Sequence, residues 1–153
     1  MSALDIPLDD LIAHRAPMRF LDRMIHVTDK EAVAEAVVRA DNPLFVPGRG
    51  LPAYVGLEMM AQAIAAIDGM KRKMENLPPK IGFLLGCRRY SAHCASFEED
   101  QRLNVVATMV FGDNAMFAFE CRIDDEDGTE LARANMSVYA PADPLAFLKD
   151  GAT

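Results

Sequence analysis

The stretch GLPAYVGLEMMAQAIAAIDG, from Gly50 to Gly69, carries one carboxylate, Glu58, and no cation between Arg49 and Asp68. Leu57, Met60, Ile64 and Ile67 recur at spacings of three and four, and Val55, Met59, Ala63, Ala66 and Met70 form a second apolar stripe beside them. Two such stripes leave little of a helix for water, and Pro52 suits a first turn, so the pattern predicts a buried helix from Gly50 to about Met74. At 1.5 Å per residue it would run roughly 35 Å. Ala and Gly dominate where a membrane span would use Leu, and an acid in mid-span is costly in lipid, so no transmembrane helix is expected. A sheet wrapped on one buried helix fits the pattern better.

The C-terminal half supplies such a sheet. RLNVVATMVF (Arg102 to Phe111) alternates Leu103, Val105, Ala107, Met109 and Phe111 on one face, and GDN (Gly112 to Asn114) turns the chain. AMFAFECRID follows, with Phe117, Phe119, Cys121 and Ile123 on one side and Glu120, Arg122 and Asp124 on the other. After the polar turn DEDGTE, LARANMSVYA places Ala132, Ala134, Met136, Val138 and Ala140 on one face. Three runs of period two joined by hairpin signals predict an antiparallel meander with one buried face. Upstream, the apolar run IGFLLGCRRY (Ile81 to Tyr90) predicts a strand buried on both sides. EAVAEAVVRA (Glu31 to Ala40) also alternates at two, but its Ala and Glu content suits a helix equally, and periodicity leaves that choice open. APMRFLDRMIHV (Ala16 to Val27) is expected to be extended after a turn at Pro17.

No repeat, low-complexity tract or linker divides the 153 residues, so one domain is expected over 1–153, with its core at about 6–141 and a tail at 142–153. The formal charge of −7 and the pI near 4.9 would repel phosphate backbones and anionic bilayers, which argues against nucleic-acid or membrane partners. Cys87, Cys94 and Cys121 show no CxxC spacing and follow no apolar leader, which points to a reducing cytoplasm.

Tyr54, Glu58 and Gln62 lie at i, i+4 and i+8, so the polar groups of the buried segment share one face. That face is either the solvent edge of the helix or the wall of a cleft or subunit interface. No Lys or Arg joins it before Lys71, and both readings stay open here.

HRAPMRFLDRM (His14 to Met24) resembles the HRYPFLLVDRV type of segment in β-hydroxyacyl-acyl carrier protein dehydratases, and LEMMAQ (Leu57 to Gln62) resembles their LEAMAQ helix. LPAYVGLEMMAQ, GFLLGCRRY and NMSVYAP together are most similar to the dehydratase-like hotdog proteins of aryl-polyene-type fatty acid gene clusters. The resemblance implies an α+β hotdog fold, a curved antiparallel sheet around one long central helix, in a dimer, expected as a homodimer or as a heterodimer with a second hotdog protein. It also implies a 3-hydroxyacyl thioester of acyl carrier protein as substrate, in fatty acid or polyene biosynthesis, and no cofactor. Those dehydratases carry a Gly-His-Phe-Pro element upstream of the helix. Here the region reads NPLFVPGRGLPAYVG (Asn42 to Gly56) and has no histidine; His14, His26 and His93 lie elsewhere. Glu58 therefore carries over as the catalytic carboxylate, and a catalytic histidine does not.

Dehydration needs a base at C2, an acid for the leaving hydroxyl and donors for the enolate-like oxygen. Glu58 is the candidate acid for the leaving hydroxyl. The backbone N–H groups of Gly56 and Leu57 are candidate donors, and Gln62 and Tyr54 would shape the cleft. His14 could act as the base only if the fold brought it there, and a hydrogen-bonded structural role is the preferred reading. The missing base makes two alternatives competitive: a thioesterase using the helix carboxylate, and a non-catalytic or half-catalytic subunit paired with a second hotdog protein. Lys71, Arg72 and Lys73, with Arg88 and Arg89, could meet the acidic surface of a carrier protein, or the helix cations could simply match its macrodipole. His93 and Cys94 are adjacent, so on a strand they face opposite ways, and no metal site is expected.

Overall fold

A computed structural model of the chain describes residues 6–77, 83–113 and 115–139. The expected tail at 142–153, the start of the upstream run at Ile81 and the turn residue Asn114 lie outside the described residues. Strands β1 (Arg23–Val27), β2 (Glu31–Val37), β6 (Arg102–Asp113), β7 (Met116–Asp124), β8 (Glu130–Tyr139) and β4 (Phe83–Ala92) form one antiparallel sheet in that spatial order. β3 (Leu51–Pro52) and β5 (Ser96–Phe97) make a short separate pair, and α1 (Gly56–Met74) lies against one face of the large sheet. This is the expected hotdog architecture.

Pairing settles the ambiguous run. Glu31–Val37 bonds to β1 on one side and to β6 on the other, and Ala32, Ala34 and Ala36 are fully buried. Ladder hydrogen bonds on both edges outweigh the helical propensity of Ala and Glu, and three small side chains let Met59, Met60 and Ala63 of α1 settle into the same core. The meander follows its pattern: Leu103, Val105, Ala107, Phe119, Cys121, Ile123, Ala132, Ala134 and Met136 are buried. Phe111 departs from it and is 56% exposed, because the β6–β7 register slips between Met109 and Phe111 and turns every later side chain to the other face.

Two further expectations need correction. The helix starts at Gly56, not Gly50. Leu51 and Pro52 pair with Phe97 and Ser96, the Ala53 N–H bonds to the Ala95 carbonyl, and Ala53–Val55 form a 3-10 turn before α1 begins. Pro52, with φ −54 and ψ 139, serves that extended entry instead of a helical turn. β4 is not buried on both sides. It is an edge strand whose Gly86, Arg88 and Arg89 are exposed while Cys87 and Tyr90 pack toward the core, and its register with β8 shifts twice.

Candidate functional site

Glu58 stands in the first turn of α1, and the N-terminal segment, which crosses the helix at Gly69, brings His14 to it. That crossing depends on Gly69: a Cβ there would run into the carbonyl of Leu11. Leu8, Leu11 and Ile12 bury themselves in the core beside it. Arg15 braces the segment, its guanidinium donating to the carbonyls of Ile12 (2.7 Å), His14 (2.9 Å) and Asp9 (3.2 Å), while Arg19 pairs with Asp9 and Lys73 lies 3.7 Å from Asp10.

This bracing places His14 Nε2 3.5 Å from Glu58 Oε1. Gln62, which is 0% exposed, completes the arrangement. Its Oε1 accepts the Phe20 N–H at 2.8 Å, and its Nε2 donates to the Met18 carbonyl at 2.8 Å and to Glu58 Oε1 at 3.0 Å. His14 Nδ1 is buried without a partner. Nε2 is the ring nitrogen that faces the carboxyl, at an ion-pair distance. The fold thus brings His14 to the acid, as the sequence left open, but aims only its Nε2 there.

His14 and Glu58 line a cleft of about 430 Å³ between the N-terminal segment, α1 and the sheet. Ala61, Ala65, Met109, Phe117, Phe119 and Val138 give it apolar walls, and Lys71 lies in the wall with its Nζ 5.7 Å from the centre of the Phe117 ring. The volume falls in the range usual for small-molecule sites. Gly69 and the alanine pair were the signals in the sequence for a close approach and a smooth groove. Nothing in it marked Arg15 or Asp9 as braces.

Other expected residues stand elsewhere. Tyr54 sits on the 3-10 turn, 64% exposed, and does not line the cleft. Gln62 lies behind Glu58, not in the wall. The Gly56 N–H is already bonded to the carbonyls of Ala53 and Tyr54, because the 3-10 turn runs straight into the helix and leaves no orphan donor there. Gly56 matters instead for its size, since a Cβ would meet Tyr90 Oη at 2.5 Å and Ile123 Cδ1 at 2.8 Å; Tyr90 donates to the Ala53 carbonyl across this spot. Leu57 packs against the core. Lys71, Arg72 and Lys73 form the last basic turn of α1, whereas Arg88 and Arg89 belong to β4, so the basic group is divided between two elements.

His93 Nε2 lies 3.5 Å from Glu130 Oε2, and Arg133 donates to Glu130 Oε1 at 2.7 Å. Arg133 first, then His93, hold the Glu130 carboxyl below its usual range. This is a surface ion cluster, and no group of three metal-type ligands occurs among the described residues. No described helix is long and apolar enough to cross a membrane.

The site therefore offers a carboxyl in the wall of an apolar cleft, held by the Gln62 amide and faced by His14, with Asp29 and Asp68 also in the lining. Comparison with known proteins agrees in kind. The family model described as ApeP-like, ApeP dehydratase, matches residues 6–149. No match is found among curated protein sequences. Among solved structures, the dehydratase heterocomplex ApeI:P from Xenorhabdus doucetiae aligns at 28% identity over 94% of this chain and 96% of that chain, with a TM-score of 0.86. The E. coli PaaI protein of the phenylacetic acid degradation operon aligns at 12% identity over 76% and 80%, TM-score 0.60. A hypothetical thioesterase from Streptococcus pneumoniae, solved with coenzyme A, aligns at 14% over 76% and 83%, TM-score 0.60. The last two share the fold.

Proposed function

The chain belongs to the ApeP-like dehydratase family, and from that membership we propose that it is the acid-bearing subunit of a hotdog heterodimer that removes water from 3-hydroxyacyl thioesters of acyl carrier protein. The setting is aryl polyene or related fatty acid biosynthesis in the cytoplasm. The observation that carries this reading is Glu58 at the mouth of the apolar cleft with His14 Nε2 directed at it.

In this reading a base takes the C2 proton, the electron pair forms the C2–C3 double bond, and the C3–O bond breaks as Glu58 gives its proton to the departing hydroxyl. Water leaves. The carboxylate that remains is held by the Gln62 amide, with His14 Nε2 3.5 Å away, and the proton on the base returns to it through solvent. His14 faces the acid with Nε2 and buries Nδ1 in the protein, so this reading places the C2 base elsewhere. The base then comes from a second subunit, in keeping with the 28% identical neighbour, which is itself a two-protein dehydratase. The thioester donor also comes from outside the Gly56 N–H, which is engaged.

The test incubates a short 3-hydroxyacyl thioester of acyl carrier protein with the purified chain, alone and mixed with a hotdog protein encoded beside it, and identifies products by mass. Loss of one water only on mixing, and not with Glu58→Gln, is expected. Dehydration by the chain alone would remove the heterodimer and leave the dehydratase. A free carrier thiol would identify a thioesterase, the one other reaction a lone helix carboxylate supports.

A further inference from the structure

We infer that the acyl chain lies along α1 with its reacting carbons at Glu58, and that Lys71, at the opposite end of the cleft, is a specificity-determining residue that limits how long a saturated chain the site accepts. The inference rests on the acid role proposed for Glu58.

The cleft follows one side of the helix. Glu58, Ala61, Ala65, Asp68 and Lys71 recur at spacings of three and four, and all five border the cavity. Glu58 and Lys71 stand 13 residues apart (71 − 58), roughly 20 Å at 1.5 Å per residue. A cavity of about 430 Å³ drawn out over that length is a groove, suited to an extended chain. Its floor is small in the middle, because Ala61, one turn from Glu58, and Ala65, two turns from it, have only methyl groups to present.

At the far end the character changes. Asp68 and Lys71 enter the lining, and α1 continues with Arg72 and Lys73, so the apolar floor stops there. The Lys71 ammonium stands 5.7 Å from the centre of the Phe117 ring, a cation–π distance that favours its staying beside the cavity. A methyl end arriving at that point takes water from a charge and offers no hydrogen bond in return, whereas a chain that stops short meets only apolar wall. Length therefore decides whether Lys71 is felt. A lysine that only matched the helix macrodipole would treat every substrate alike.

The test compares 3-hydroxybutyryl and 3-hydroxypalmitoyl thioesters of acyl carrier protein in the mixed-protein dehydration assay above, the second being about as long as the cleft. The readout is the ratio of kcat/KM, long over short, which cancels any general loss of activity. Lys71→Met keeps an unbranched stem, removes the charge and should raise the ratio about tenfold, the lower end of what an apolar contact discriminates. Ala65→Leu puts a branched side chain into the floor and should lower the ratio by roughly the same factor. A ratio unmoved by Lys71→Met would overturn the specificity role. If this part of the cleft held the pantetheine arm instead, Ala65→Leu would slow both substrates alike, and an unmoved ratio there would overturn the direction of the chain. If neither substrate is dehydrated by any form, the acid role of Glu58 fails, and calorimetric titration of the chain with the same two loaded carrier proteins decides the role of Lys71 separately. Lys71→Met should then tighten the long form about tenfold more than the short one, and an equal change in both, or none, would overturn it.

Discussion

Glu58 is 42% exposed in the single chain, so the dry surroundings that favour proton transfer must be supplied by the acyl chain or by a second subunit. The sequence made this acid visible because it is alone in an apolar run. It did not show the acid's surroundings. His14 is 44 positions away, and no local pattern tells that Arg15 and Gln62 fold its loop back onto the helix. Replacing His14 by Asn should lower turnover roughly tenfold, the worth of one polar contact of about 1.5 kcal/mol to a charged group, with a near-normal thermal midpoint; an assay beside a melting curve checks both. Glu58→Gln should cost between about 10²- and 10⁴-fold, the usual contribution of a general acid. Gln62 illustrates the limit of periodicity: the i, i+4 spacing put it beside Glu58 correctly but could not say that it faces inward.

Elements were legible wherever two signals agreed. The β6–β7–β8 meander combined period two with hairpin turns and came out as expected except at Phe111, where a bulge no residue announces changed the face. β4 was misjudged because an apolar run does not reveal whether a neighbour lies on both sides, and the helix start was misjudged because Pro52 fits an extended entry as well as a first turn. Gly69 is the position where one atom matters most to an element. Gly69→Ala would push its methyl into the backbone of Leu11, and backbone yields less readily than a side chain. The cost should reach the upper end of overpacking, about 3 kcal/mol, or roughly 10 °C in Tm for a domain of this size. Turnover should fall further than stability, because the displaced segment carries His14. Calorimetry and the dehydration assay together separate the two effects.

At the scale of the whole molecule, stability should decline on the alkaline side. Burial, with smaller effects from Cys87 and Glu120, pushes the Cys121 thiol from 9.0 up to about 12, and burial, with Cys94 and Cys87, pushes the Tyr90 hydroxyl from 10.0 up to about 12. Both folded values lie above the unfolded ones, so the native state keeps protons that the unfolded chain releases. The stabilisation is complete below pH 9 and is lost as pH rises toward 12. Urea unfolding at steps from pH 8 to 11 should show the decline, and Cys121→Ala should flatten its first part. The order of the strands has one more consequence, for synthesis. Of the six strands of the large sheet only β1 and β2 precede α1; β4, β6, β7 and β8 follow it, the last ending at Tyr139, 65 residues beyond Met74 (139 − 74). A ribosome adding about 5–20 residues per second needs roughly 3–13 s to make them. During that interval an apolar helix of 19 residues waits half covered, available to chaperones and to other nascent chains before its own sheet exists.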